Sequence, residues 1–493
     1  MLNLVSDPWI PVRRKDGTRA VIAPWQMADP ALDFPDWPRP DLNIACLELL
    51  IGLIFLADPP AEVEDWQDRQ TPDPERLRAR LAPFAPAFEL MGNGPRFLQD
   101  MEPLEAGVTA PNPPDMLFID SAGGQTIRNN ADLVVKRGRY PALEPALATI
   151  ALYTMQAHAP SGGAGNRTSM RGGGPMVTLV DPGQGMWPLI WANVPYGKPA
   201  SPDVLPWIRP TRTSEGGQQV FPQDAHPTEA FFGLPRRLRL VAQEGRITGV
   251  VQKPYGTNYA GWEHSLTPHY RQKKGAELLP VHPRAGAFGY RNWLGVALTR
   301  RSADDTARRA QMAVAWAARG AGRRAELLVA GWAMDNMKPR DFVFSRAPLL
   351  DLSDELAERI EGMVEAAESL ASALRGALAP ILAAGAAREA AREAFFVRTQ
   401  GSFEALIAAL IASGADRDSV ARAWLLEMRA TATEIFDAQA MPGLAERDIA
   451  DQAAIVQARR NLTAAFAGYG KTGGAAWQAL GLPVPEQRTR RVA

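Results

Sequence analysis

Apolar positions follow two different rhythms along the chain, and the change falls near residue 350. Before it the pattern is short-ranged. Leu2 to Val12 is β-rich, Asp16-Gly17 is a turn signal and Ala20-Val21-Ile22 returns, which predicts a hairpin. Leu42 to Leu56 predicts a buried helix, although Glu48 interrupts its apolar run. Residues 59–75 and 81–115, rich in Pro, Asp and Glu, predict loops and short helices. A further helix is predicted from Leu143 to Ala157, ending before Pro160, and a glycine-dense loop follows from Ser161 to Gly174. Short strands and turns fill residues 175–300. Ser302 reads as an N-cap, with Asp304 and Asp305 in the first turn of a helix to about Ala318. Ala325 to Ala330 reads as a strand leading into Gly331-Trp332.

After Pro348 alanine dominates and the spacing becomes helical. Leu356, Ile360, Met363, Val364, Ala367, Leu370 and Leu374 form one apolar stripe. Phe395, Phe396, Phe403, Leu406 and Leu410 form a second. Trp424, Leu425, Met428, Ile435 and Phe436 form a third, and Ile455, Leu462 and Phe466 a fourth. The breaks fall at Pro380–Gly385, Gly414–Asp416 and Pro442-Gly443. Short connections between four amphipathic helices predict an antiparallel bundle. The expected fold is therefore α+β: a large mixed α/β domain over residues 1–350, then an antiparallel four-helix bundle over 351–493.

Charge changes the picture only when it is counted by region. The 493 residues carry 54 Lys/Arg and 54 Asp/Glu and are formally neutral. Residues 113–350, however, hold 29 basic and 17 acidic residues, whereas both flanks are acidic. The cations cluster at Lys136, Arg137 and Arg139, at Arg236, Arg237 and Arg239, at Arg271, Lys273 and Lys274, at Arg300, Arg301, Arg308 and Arg309, and at Arg323 and Arg324. Such an excess suits a phosphate-facing surface. Solvated arginines would give the same count. The single cysteine, Cys46, excludes a disulfide framework and suits a reducing compartment. No signal-peptide core precedes the first charged residues, and the run Ile44 to Ala57 is shorter than a bilayer span, so a cytoplasmic protein without a membrane partner is expected.

Catalytic signatures are mostly missing. The five histidines, 158, 226, 264, 269 and 282, have no metal-ligand spacing, and no nucleophile elbow is present. Gly468-Tyr469-Gly470-Lys471-Thr472 imitates the end of a phosphate loop, but a helix precedes it and Ala465 stands where the first glycine belongs. Gly468 reads instead as a helix-ending glycine. No enzyme, cofactor or metal is expected. Three segments of the basic body remain: the loop Ser161 to Gly174 with Arg167 and Arg171 embedded in it, Lys253 ahead of Pro254-Tyr255 and Trp262, and Gly331 to Arg340. Glycines let backbone approach a ligand closely.

These segments, in this order and with the opening Leu2-Asn3-Leu4-Val5-Ser6-Asp7-Pro8-Trp9-Ile10-Pro11-Val12 and a helical tail, resemble the CasA family. CasA is the large subunit of the type I-E CRISPR Cascade surveillance complex. The resemblance spans essentially the whole chain. It implies a non-catalytic subunit that finds the protospacer-adjacent motif (PAM) in double-stranded DNA through the minor groove and wedges the duplex open for guide RNA pairing. It also implies other Cascade subunits and a separate helicase–nuclease, recruited after R-loop formation, as partners. Carried over by position, Ser161, Gly162, Gly163 and Ala164 correspond to the family's glycine loop, Lys253 to its lysine finger, and Asn336 and Met337 to its wedge. Phe118 falls at the start of its guide-contacting loop, with 119–139 as the remainder. The wedge departs from the pattern, being Asn-Met where relatives often have Gln and a small residue. A scaffold subunit of a ribonucleoprotein, without direct DNA readout, is the alternative expectation.

Overall fold

The computed structural model describes residues 2–104, 110–130, 132, 135–163, 165–298, 306–412 and 416–486. The chain forms two compact units: Met1–Ala285 with Asp304–Leu349, and Gly286–Ala303 with Leu350–Ala493. Residues 286–298 group with the second unit, although they precede residue 350 in the chain.

The first unit opens with β1 (Ile10–Arg14) and β2 (Arg19–Ile22), joined through the Asp16-Gly17 turn, where Gly17 has φ 85°. β3 (Leu32–Pro35) pairs on the other side of β1, giving the order β2-β1-β3. Helix α1 (Pro40–Ala57) follows, with Pro40 at its first position, where a missing N–H costs nothing. It is the core helix of the unit, packed by α3 (Pro74–Leu81), which follows α2 (Val63–Asp68). By length and hydropathy α1 could cross a membrane, but 89% of that stretch is buried inside the protein. The helix Ala386–Ile411 of the second unit meets the same length and hydropathy test, with 33% buried. After the short α4 (Gly124–Arg128), α5 (Pro145–His158) packs against α1 and delivers the chain to the glycine loop.

The central sheet is assembled from distant segments. β4 (Val177–Asp181) is buried along its whole length and is followed by α6 (Met186–Ala192) and α7 (Glu229–Phe232). β5 (Arg237–Gln243) and β6 (Arg246–Lys253) form a separate antiparallel pair. β7 (His269–Tyr270), β8 (Leu279–Pro280) and β9 (Ala307–Arg308) make a small sheet in the order β8-β7-β9. Helix α8 is Gln311–Gly320 with its N-cap at Ala310, eight residues after the expected cap at Ser302. Ser302, Asp304 and Asp305 lie outside the described residues, and Ala307–Arg308 is claimed by pairing with β7. β10 (Glu326–Asp335) and β11 (Lys338–Pro348) then form a hairpin longer than the expected strand. β4 pairs only with Glu326 to Ala330 of β10, so Gly331 to Asp335 continue as a two-stranded ribbon with β11.

The second unit is the expected helical bundle. α9 (Asp354–Ala377), α10 (Ala386–Ile411), α11 (Arg417–Ala440) and α12 (Ile449–Phe466) supply the four long helices. Three of them start on side-chain caps: Ser353 accepts from the Leu356 amide, Asp416 from Ser419 and Asp448 from Asp451. Each such cap contributes about 1 kcal/mol. The apolar stripes meet inside, with Ile360, Leu370, Phe395, Phe403, Trp424 and Phe436 all buried, while Leu356 and Leu406 are half-buried at the margin. Gly468 ends α12 in the left-handed region at φ 87°, and a fifth, short helix, α13 (Gly470–Ala479), packs back on α9. The Gly-Lys-Thr triplet is simply its first turn. Within the same unit Tyr290 stacks on Phe403 at 4.1 Å and shares a 2.9 Å hydrogen bond with the Thr399 hydroxyl.

Candidate functional site

The three segments set apart in the sequence converge in the first unit. The glycine loop leaves α5 at His158 and reaches β4 at Val177. At its middle, the Tyr255 N–H donates to the Gly165 carbonyl at 2.7 Å, and Gln252 Nε2 donates to Asn166 Oδ1 at 2.9 Å. This joins the loop to the end of β6, where Lys253 sits. Gly165 lies at φ 76°, and a Cβ there would stand 2.6 Å from Pro254, so a side chain would push the two segments apart. At the loop's far end, a Cβ on Gly173 would come within 3.1 Å of Met337 Sδ, and one on Gly174 within 2.5 Å of the Trp332 carbonyl oxygen. The loop therefore touches the β6 end on one side and the β10–β11 ribbon on the other.

Individual residues fall as follows. Ser161, Gly162 and Gly163 are exposed, and Ala164 lies outside the described residues. Lys253 is half-buried at the last position of β6, opposite Arg237. Asn336 and Met337 are the two central residues of the hairpin turn, bracketed by the Asp335–Lys338 pair, and both have positive φ, 49° and 61°. A type I′ hairpin turn, whose twist matches that of the flanking strands, has positive φ at both central residues. Asn tolerates it, whereas Met does so at a cost of about 1–2 kcal/mol. Met337 is 45% exposed, an apolar side chain held in water at the tip of a ribbon. Strain of this kind gathers where function needs it. Asp335 steadies the turn, accepting from Asn336 Nδ2 at 3.0 Å and from Arg340 at 2.9 Å.

Phe118 is placed differently from an open contact residue. It is only 1% exposed, stacked on Tyr140 at 4.4 Å, with the Arg39 and Arg139 guanidiniums over its ring. Asp120 pairs with both arginines.

Several clustered cations are also engaged inside the protein. Arg171 is buried and donates to Glu48 Oε1 at 2.6 Å, so it does not supply charge to the loop surface. Arg167 donates to the Ser214 hydroxyl at 2.8 Å. Arg237 pairs with Asp100 and Glu102, and Arg137 with Asp132. Lys136, Lys273, Lys274 and Arg324 are exposed, while Arg300 and Arg301 lie outside the described residues.

Sequence reasoning missed what underlies the loop. Glu48, fully buried in α1, accepts from Arg171 and meets His158 Nε2 at 2.6 Å. Both ends of the loop are thus cinched to one carboxylate. Burial alone would raise that carboxyl, but Arg171 and then His158 outweigh it and hold it well below the usual carboxylate range. His264 nearby is pushed far down by burial and by Arg171. The available signal was Glu48 itself, a charge in the middle of an apolar run.

Among the described residues no group of three or more His, Cys, Asp or Glu could hold a metal ion. Fold and site together describe a mixed α/β unit presenting three convergent loops, with a helical-bundle unit. The model of the family CRISPR-associated protein Cse1 matches residues 3–435, and the chain belongs to that family, the CasA-type large subunits. Solved structures agree in fold. CasA (Cse1) of Thermus thermophilus is 19% identical with a TM-score of 0.71, covering 94% of this chain and 98% of that one. Cse1 of Acidimicrobium ferrooxidans is 19% identical at 0.69, covering 98% and 99%. A chain of a CRISPR RNA-guided surveillance complex is 17% identical at 0.69, covering 94% and 99%.

Proposed function

We propose that the protein is the PAM-reading large subunit of a type I-E CRISPR RNA-guided surveillance complex. Ser161, Gly162, Gly163 and Ala164 bring backbone to the minor groove, Lys253 reaches into the same groove, and Asn336 and Met337 enter the duplex beside the motif. The minor groove presents a degenerate set of acceptors, so a lysine and close backbone read it permissively. Separating the first base pairs costs a few kcal/mol per step, offset by protein contacts and then by guide pairing. The observation that carries this reading is the convergence on the glycine loop: Gly165 bonds the lysine-finger segment, and Gly173 and Gly174 lie against the ribbon that ends in Met337. Guide RNA contact at Phe118 belongs to the proposal too, and it requires the Tyr140 ring to move aside. Other Cascade subunits and a helicase–nuclease recruited after R-loop formation complete the partner set, in the cytoplasm.

The test is duplex binding by the guide-loaded complex, wild type against Asn336→Ala with Met337→Ala. Each is offered an intact target and one pre-melted beside the motif. Loss on the intact duplex with rescue on the bubble is expected. Equal binding by both proteins on both targets refutes the wedge. One observation favours a scaffold without DNA readout: so many of the clustered arginines are spent internally. Crosslinks from DNA to residues 161–163, 253 or 336–337 would exclude it.

A further inference from the structure

Between the glycine loop and the lysine-finger segment lies a cation with no counter-charge among the described residues. Arg236 is 5% exposed, and among the described residues no carboxylate pairs with it. One Nη donates to the Pro160 carbonyl, immediately before the loop, while Nε meets no hydrogen-bond partner among the described residues. The other Nη lies against the loop backbone: a Cβ on Gly162 would stand 2.5 Å from it. Its own backbone is fixed on α5, the Arg236 N–H donating to Gln156 Oε1 at 3.0 Å and Gln156 Nε2 donating back to the Arg236 carbonyl at 2.9 Å. On the other side Gly256, three residues past Lys253, packs so closely that a Cβ would sit 3.0 Å from the Arg236 nitrogen.

A guanidinium in this position is expensive to bury, and burial pushes it down to about 10, so it remains charged at neutral pH. Neighbouring arginines solved the same problem with acids: Arg237 with Asp100, Arg171 with Glu48. Arg236 instead faces exposed, side-chain-free backbone at Gly162. We infer that Arg236 is a phosphate-neutralising residue, whose missing counter-ion is a phosphodiester of the duplex brought against the glycine loop. The inference rests on the proposed DNA-reading role of that loop and adds a residue to it.

The experiment measures duplex affinity of the assembled, guide-loaded complex as a function of salt for wild type, Arg236→Gln, Arg236→Lys and Lys253→Ala. Thermal melting and guide loading are checked for each. A neutralised phosphate contributes about one to the slope of log affinity against log salt. Arg236→Gln, which keeps a donor for Pro160, is expected to flatten the slope by about one. The ratio of wild-type to variant affinity then grows about tenfold as salt falls from 1 M to 0.1 M, alike for all motif sequences. Arg236→Lys is expected to keep the slope. An unchanged slope in Arg236→Gln, with Lys253→Ala weakened, overturns the inference and leaves the loop's role standing. A slope lost equally in Lys and Gln also overturns it, because charge is then not the cause. So does a defect confined to guide loading. Unchanged binding in Arg236→Gln and Lys253→Ala alike removes the DNA-reading role itself.

Discussion

Replacing Glu48 by Gln should destabilise the first unit far more than its isosteric size suggests. The carboxylate is fully buried and takes 2.6 Å contacts from both Arg171 and His158, so the amide leaves Arg171, itself 4% exposed, without a counter-charge. Breaking a buried pair from one side costs about 3–5 kcal/mol. With an m-value of about 3 kcal/mol/M in urea, the midpoint of the first unit's transition falls by roughly 1 to 1.7 M. Tryptophan fluorescence of the isolated chain reads it. Limited proteolysis should meanwhile open a site within residues 161–174, because both ends of the loop lose their anchor. Glu48→Met combined with Arg171→Met should recover most of the loss, since an apolar pair removes the stranded charge. A midpoint shift below about 0.3 M in Glu48→Gln would refute the clamp.

Three further outcomes are expected. Met337→Gly relieves a side chain held at φ 61° and should stabilise the hairpin by about 1 kcal/mol or leave it unchanged, while abolishing opening of intact duplex; thermal melting and bubble rescue separate the two effects. Gly174→Ala places a methyl 2.5 Å from the Trp332 carbonyl at φ 65° and should cost more than about 1 kcal/mol and weaken duplex binding, with the bundle's own melting transition unmoved. His269, lowered by burial to about 4, is neutral when folded but binds a proton at about 6.5 when unfolded. Its contribution is complete above pH 6.5 and is lost as pH falls toward 4, about 3 kcal/mol in all. Urea midpoints measured across that window should fall in wild type and fall less in His269→Asn.

Local pattern carried much of the architecture. The bundle's stripes were legible because helix period and burial coincide, and Leu42 to Leu56 and Leu143 to Ala157 were legible because continuous apolarity admits little else. The β10–β11 ribbon was legible only as far as Ala330, since its remaining strand is exposed, charged and paired on one side. The start of α8 was misplaced because good capping residues near 302 outweighed a two-residue strand that only tertiary pairing creates. Charge counting overstated the open basic surface, because one-dimensional counting cannot see that Arg171 and Arg237 are spent on Glu48 and Asp100. Arg236 was visible merely as one of three basic neighbours; its missing partner is a property of the fold alone.

The passage of residues 286–298 through the second unit gives synthesis an unusual order. Tyr290 leaves the ribosome 109 residues before Thr399, its hydroxyl partner. At about 5–20 residues per second, it waits roughly 5–20 s with an unmatched aromatic face. Meanwhile β4 also waits, because the strand that completes its sheet begins at Glu326, after that segment has emerged. Neither unit can finish before part of the other has been made, so they mature interleaved. A bundle expressed from residue 351 onward would lack Tyr290 and expose Phe403 and Thr399; an autonomous version needs residues 286–298 stitched to its front.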